Sequence, residues 1–260
     1  MIPSFDLAGR TALVTGAGSR EGIGFATARL LAQMGARVVI TSTTERIHDR
    51  ASELRTLGAE VLSVVGDLTD ASMATNLVNT AVQQWGSMDV VVQNAGMTSV
   101  SAPESEGRGF QDMKIEQWRS IMSRNLDNSY RVARACLPVM ANAGWGRLVM
   151  VASITGPVMA MRNMSAYGAA KAGMVGLTRG LALDYGEYGV TVNAVAPGWI
   201  QTGSQTPHEF EQGSRTPLGR SAQPDEVASA IGWLASPGAS YVTGQCVVID
   251  GGNSIAEERS

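Results

Sequence analysis

Seven times along this 260-residue chain a short apolar run stops abruptly at a glycine, a proline or a polar side chain. The runs are Thr11–Thr15, Ala36–Thr41, Val61–Val65, Asp89–Asn94, Leu148–Ser153, Thr191–Ala196 and Cys246–Asp250. They are rich in valine and apolar at successive positions, the pattern of strands covered on both faces. Helical spacing occupies Phe25–Met34, Thr43–Leu57, Trp118–Val139, a stretch from Tyr167 to about Gly186, and Asp225–Leu234. Strand followed by helix, repeated, predicts a parallel, doubly wound α/β sheet with helices on both faces. No linker or repeat breaks the pattern, so the expectation is a single three-layer α/β/α domain over residues 1–260.

Thr15, Asp67, Asn94, Ser153 and Pro197 all end predicted strands, so all fall on one carboxyl edge, where open α/β sheets bind ligands. The first strand breaks at Gly16-Ala-Gly-Ser-Arg-Glu-Gly22-Ile-Gly24 before a helix. Glycines in that context permit a tight turn and close approach of backbone to a pyrophosphate, as in Rossmann-like folds; a ligand-free turn is the alternative. An acidic side chain ending the second strand would hold a ribose 2′-hydroxyl and select NAD. Here the strand end reads Thr41-Ser-Thr-Thr-Glu-Arg46. Hydroxyls with Arg46, joined by Arg20 from the glycine turn, suit a 2′-phosphate, so NADP is expected. NAD is the alternative, with Glu45 on the ribose and Arg46 an ordinary exposed helix residue.

Tyr167 and Lys171 lie four apart and share one helix face. A free tyrosine, with a pKa of about 10, is a poor acid or base at neutral pH. A neighbouring ammonium favours its phenolate and brings it toward the working range. Ser153, at the preceding strand end, can hydrogen-bond a carbonyl or hydroxyl lying against Tyr167. A half-buried aromatic beside a snorkelling cation is the ordinary alternative for such a pair. Asn125 sits inside the predicted Trp118–Val139 helix, where asparagine implies a local distortion, a polar partner or simply a solvent-facing position. Along the Tyr167 helix Gly168, Ala172, Gly176 and Gly180 recur every four residues, which implies close packing against another element or against the same helix of a second subunit.

The remaining composition excludes more than it suggests. A net charge of −3 without a basic run argues against a nucleic-acid partner. The two histidines, His48 and His208, stand apart in sequence, so no metal cluster is expected. Cys136 and Cys246 have apolar neighbours and read as core residues of a reducing compartment. Met1–Arg10 carries Asp6 and no apolar core, unlike a signal peptide, and no run reaches the roughly 18 apolar residues of a membrane span. A cytoplasmic protein is expected. Ser99–Gln111 and Thr202–Pro217 read as polar loops at the mouth of the edge.

In this order the motifs resemble those of the short-chain dehydrogenases/reductases. The match runs from Leu7 to Gly252 and includes the glycine turn, Asp67, Asn94-Ala95-Gly96, Asn125, Ser153, Tyr167 with Lys171, Pro197-Gly198 and Asp250-Gly251-Gly252. The resemblance implies a hydride-transferring oxidoreductase acting on a ketone or secondary alcohol. Tyr167 would be the general acid or base, Lys171 would lower its pKa and hold the nicotinamide ribose, Ser153 would polarise the carbonyl, and Asn125 would help hold a proton-relaying water. The implied cofactor contacts are Gly16, Ser19, Arg20, Gly22, Ile23 and Gly24, then Thr43 and Arg46, Asp67 and Leu68, and Asn94, Ala95 and Gly96. Tyr167 and Lys171 join them, with Pro197, Gly198, Ile200 and Thr202. A homotetramer is the family's habit.

The chain departs from the pattern in its details. Five residues separate Gly16 from Gly22, where the usual family spacing is three, and Ser153 and Tyr167 are fourteen apart, one more than in many members. The type expected is an NADPH-dependent carbonyl reductase like the 3-oxoacyl-carrier-protein reductases. The alternative is an NAD-linked dehydrogenase of a sugar, steroid or terpene alcohol. Enoyl reductases space the Tyr and Lys more widely. Non-catalytic dinucleotide sensors typically lose one of them.

Overall fold

The computed structural model describes residues 5–96 and 109–257. Its centre is one sheet of seven parallel strands: β1 (Thr11–Thr15), β2 (Arg37–Ser42), β3 (Val61–Val65), β4 (Val90–Gln93), β5 (Gly146–Val151), β6 (Val190–Pro197) and β7 (Cys246–Ile249). They lie in the order β3-β2-β1-β4-β5-β6-β7. Successive residues of one strand serve opposite faces. Ala12 and Val14 enter one hydrophobic cluster with α1 (Ile23–Gln33), α2 (Arg46–Thr56) and α8 (Pro224–Ala235), whereas Leu13 enters the other. That second cluster is closed by α3 (Met73–Trp85), α5 (Asn128–Ala143) and α6 (Ser165–Tyr185). Full burial of each such Val or Leu stabilises the fold by about 1.5–3 kcal/mol. Between these layers α4 (Ile115–Met122) leads into α5, and α7 (Pro207–Ser214) follows β6.

Chain progress reverses between β1 and β4, which are neighbours in the sheet although β2 and β3 intervene in sequence. The crossovers leaving β1 and β4 therefore go to opposite faces and open a crevice at their carboxyl ends. The predicted motifs converge there.

Several expectations need correction. Helix α3 has no counterpart in the sequence reading, although its buried positions Ala74, Leu77, Val78 and Ala81 recur at the i, i+3, i+4, i+7 spacing of an amphipathic helix. The Thr202–Pro217 stretch contains α7, begun by a capping box in which Thr206 Oγ1 accepts from Glu209 N–H at 3.2 Å and Glu209 accepts from Thr206 N–H at 2.7 Å. Most of the expected Ser99–Gln111 loop lies outside the described residues, and Phe110–Asp112 forms a single 3-10 turn. Cys136 is buried, and burial pushes its thiol up to about 12, but Cys246 is only half-buried on the outermost strand. In the small-residue row of α6, Gly168 packs on Gly156, while open space faces Gly176 and Gly180. The packing inferred for the rest of that row is absent within the described chain.

The start of α8 illustrates a local lock. Glu226 accepts from Gln223 N–H at 2.8 Å and takes two hydrogen bonds from Arg220, at 2.6 and 2.8 Å. The Arg220 guanidinium first, and the Gln223 N–H second, hold the Glu226 carboxyl down at about 2. A depressed carboxylate contributes stability that is full above its unfolded value of about 4.3 and is lost as pH falls toward 2. Because the group is exposed, Glu226→Gln is expected to cost no more than about 1 kcal/mol at pH 7. Urea melts of both proteins should converge between pH 4 and 2; a gap that persists at low pH would assign the loss to something other than the charge.

Candidate active site

At the carboxyl end of β1 the Thr15 hydroxyl joins two strands. It accepts from the Asn94 and Ala95 N–H groups, both at 3.0 Å, and donates to Gln93 Oε1 at 2.6 Å. The Asn94 amide then donates to Thr15 O and Gly16 O, each at 3.1 Å. Both of its N–H groups are thereby used in shaping the glycine turn. Gly16 has φ +68, and a Cβ on Gly24 would stand 2.5 Å from Gly16 O. A Cβ on Gly18 would stand 2.7 Å from the Ser42 hydroxyl and 2.8 Å from Arg46 Nε. The turn is thus bare backbone leading into α1, whose N-terminus at Gly22 has no side-chain cap and no acidic residue in its first turn. Uncapped N–H groups beside side-chain-free backbone fit a dinucleotide pyrophosphate.

The two extra residues of the turn reach apart. Arg20 pairs with Glu53 of α2, Nε to Oε2 at 3.1 Å, so it is engaged by a carboxylate and does not join Arg46 as expected. Glu21 reaches the loop beyond β6, where a Cβ on Gly203 would come within 2.9 Å of its carboxylate. Ser19, Gly22 and Ile23 stay between these anchors, half-buried. Thr43 is exposed just past β2, Asp67 is exposed past β3 with Leu68 buried beside it, and Pro197, Gly198, Ile200 and Thr202 line the exit of β6.

Asn125 contradicts its solvent-facing alternative. It is fully buried, within a π-helical turn, Ser123–Asp127, that joins α4 to α5. Its side-chain N–H donates to Ile121 O at 3.0 Å, and its Oδ1 has no partner among the described residues. Gly96, at φ +148, fits because a Cβ there would lie 3.1 Å from both Asn125 Oδ1 and Arg124 O. Asn128 ties the two pieces together by donating to Ala95 O at 3.1 Å and to Arg124 O. Sequence reasoning flagged Asn125 and placed Thr15 on the carboxyl edge without giving it a role, but missed Gly18 and Asn128. A polar residue ending an apolar strand was the available signal for Thr15; Asn128 offered none.

Ser153 lies two residues past β5, yet Ala152 N–H and Ile154 N–H continue the ladder onto Val195 O and Pro197 O, at 2.8 and 3.0 Å. Its hydroxyl oxygen accepts from Thr155 N–H at 3.1 Å. The O–H hydrogen is left to donate. The loop then folds back, with Gly156 at φ +109 stacked against the Gly168 carbonyl on the first turn of α6. Lys171 is 2% exposed and donates from Nζ to Val151 O at 2.9 Å; its ammonium lies 5.6 Å from the centre of the Tyr167 ring. A hydroxyl donor, a phenol beside a buried ammonium, and a buried amide oxygen therefore come from β5, α6 and the π turn to one edge. This constellation can exchange a proton with an oxygen atom.

Residues 16–254 match the family model described as enoyl-(acyl carrier protein) reductase. The chain belongs to the short-chain dehydrogenases/reductases. It is 42% identical over 247 residues, 94% of this chain and 96% of the other, to cis-4-hydroxycyclohexanecarboxylate dehydrogenase of Sinomonas cyclohexanicum. Identity to a 3-oxoacyl-[acyl-carrier-protein] reductase of Vibrio cholerae is 37% over 251 residues, covering 95% and 98%. Among solved structures, a 7α-hydroxysteroid dehydrogenase complexed with NADH and 7-oxo glycochenodeoxycholic acid superposes with a TM-score of 0.87 at 30% identity, covering 95% of each chain. This short-chain dehydrogenase/reductase is accordingly an NAD(P)-dependent oxidoreductase that interconverts CH–OH and C=O groups. Among the described residues no His, Cys, Asp and Glu cluster could hold a metal, and no helix is long and apolar enough to cross a membrane.

Tyr167→Phe removes one hydroxyl from this arrangement. Turnover is expected to fall by about two to four orders of magnitude, while dinucleotide affinity changes little. Stopped-flow turnover together with fluorescence titration measures both; undiminished turnover would remove Tyr167 as the acid or base.

Proposed function

We propose that the protein is an NADP-linked ketone reductase, reversible as a secondary-alcohol dehydrogenase. Tyr167 is the proton donor, Ser153 the carbonyl-polarising hydroxyl, Lys171 the charge that sustains the phenolate, and Asn125 the anchor of a relay water. In the reducing direction the Tyr167 O–H gives its proton to the carbonyl oxygen while the Ser153 O–H donates a hydrogen bond to the same oxygen. The Lys171 ammonium favours the phenolate left on Tyr167. The orphan Oδ1 of Asn125 suits a water through which that phenolate is reprotonated. When bound, the nicotinamide supplies the hydride in reduction and accepts it in oxidation. Gly16, Ser19, Gly22, Ile23 and Gly24 would receive the pyrophosphate side, Asp67 and Leu68 the adenine side, and Pro197, Gly198, Ile200 and Thr202 the nicotinamide side.

One observation carries the choice of NADP. Of the charged groups around the end of β2, Arg20 and Arg50 share Glu53, Glu45 is paired with His48, and Arg46 has no partner among the described residues. An unpaired guanidinium beside the bare Gly18 backbone suits a 2′-phosphate. Titration with NADPH and NADH side by side is expected to favour NADPH by at least tenfold, about 1.4 kcal/mol, with Arg46→Gln removing most of the preference. Tighter NADH binding would reverse the reading.

A substrate on a small ring is supported by the 42% identity to a dehydrogenase of a hydroxycyclohexane carboxylate. Reduction of an acyl thioester's 3-oxo group is the second reading, on the 37% identity to the Vibrio reductase. The four-residue spacing of Tyr167 and Lys171 speaks against enoyl reduction. Assembly as a homotetramer is supported by the exposed row Ala172, Gly176 and Gly180, continued by Leu183 at 85% exposure. Sedimentation velocity should find four chains per particle; a monomer at micromolar concentration would end that part of the proposal.

A further inference from the structure

The end of β2 contains two opposed determinants of cofactor choice. Glu45 stands twenty-one positions after Gly24, close to the spacing of about 20 at which an acidic residue serves a ribose 2′-hydroxyl in dinucleotide-binding folds. Arg46, the next residue, carries the charge that serves a 2′-phosphate. A free carboxylate beside the phosphate would repel it, so the two cannot both act. The outcome depends on where the Glu45 carboxylate is held.

The structure holds it on a histidine. Glu45 Oε2 lies 3.1 Å from His48 Nε2, one helical turn on. On the other side of the ring, His48 Nδ1 lies 2.8 Å from the Ser63 hydroxyl, on β3. The nitrogen facing a carboxylate must carry hydrogen, so Nε2 is the donor, and Nδ1 of a neutral ring accepts from Ser63 O–H. A protonated ring would donate from both nitrogens, and the serine oxygen can accept as well as its O–H can donate. Ser63 therefore fixes the ring in either state. The imidazole is a bracket between the start of α2 and the neighbouring strand, and Glu45 is its load.

We propose that His48 is a positioning residue for cofactor selection: it holds the Glu45 carboxylate off the ribose and leaves Arg46 to receive a 2′-phosphate. The inference rests on the NADP reading given above. It adds a residue that touches no cofactor and acts through Glu45 alone. Glu45 and His48 are both exposed, so the pair is of the weak surface kind, and the expected effect is modest.

The test is a cycle of four proteins: wild type, His48→Ala, Glu45→Gln and the double variant. NADPH and NADH dissociation constants are measured for each by fluorescence titration at low salt. His48→Ala is expected to lower the preference for NADPH about three- to fivefold. In the Glu45→Gln background the same substitution should leave the preference unchanged, because no carboxylate remains to be released. Turnover at saturating cofactor should not move in any of them, and thermal melts check that all four fold. Loss of preference of equal size in both backgrounds, or no loss in either, would overturn the proposal. The wild-type ratio alone judges the NADP reading, and the difference between backgrounds alone judges His48.

Discussion

The turn from β1 into α1 is closed by backbone packed on backbone. Gly24 meets the carbonyl of Gly16, the Asn94 amide secures the carbonyls of Thr15 and Gly16, and the Thr15 hydroxyl collects two N–H groups from the end of β4. This knot lies where the direction of chain progress through the sheet reverses. It fixes the spacing of the two diverging crossovers and so the width of the crevice. A side chain at Gly24 would have to displace main chain rather than the tip of a flexible residue. The same packing leaves the N-terminus of α1 without a side-chain cap, which fits the pyrophosphate proposed there.

From that knot the order passes outward through hydrogen bonds. Asn94-Ala95-Gly96 rests on the π turn through Asn128, and the π turn buries Asn125 with an unpaired oxygen. Leaving such an oxygen unsatisfied inside a protein costs about 1–3 kcal/mol, a cost a bound water removes. On the other side Lys171 is almost fully buried, and its ammonium is compensated by the Val151 carbonyl at the end of β5. A buried charge tolerated in this way is typical of sites where a proton must be managed. Ser153 continues the β5 ladder, and Gly156 against Gly168 presses its loop onto α6. The three groups proposed for proton transfer thus depend on main-chain contacts, which hold them more firmly than surface loops would.

Charge around the end of β2 follows a different rule, because it is exposed. Individual pairs there are weak, and what matters is which group lacks a partner. Arg20, expected beside Arg46, instead shares Glu53 with Arg50, and His48, which looked isolated in sequence, occupies Glu45. The lengthened glycine turn explains the first exchange, since two additional residues carry Arg20 out to α2 and Glu21 across to Gly203.

The sequence by itself determined the parallel α/β sheet, the strand ends that form its working edge, the glycine turn at Gly16 and Gly24, and the Tyr167–Lys171 pair on one helix face after Ser153; Asn125 received its role only from the family resemblance. Periodicity and turn chemistry act over a few residues, and the strand-to-helix order permits few topologies, so these features were legible. Helix α3 was legible too, in the spacing of Ala74, Leu77, Val78 and Ala81, although the sequence reading gave it no element; α7 was masked because its capping box lay in a stretch read as a polar loop. The tertiary structure alone decided that Asn125 is buried in a π turn, that Asn94 shapes the glycine turn, and that Gly156 seats the Ser153 loop on α6. It alone assigned partners to Arg20, Glu45 and His48. Burial, hydrogen-bond pairing and ion pairing between residues far apart in sequence depend on which elements become neighbours, and no local pattern encodes that.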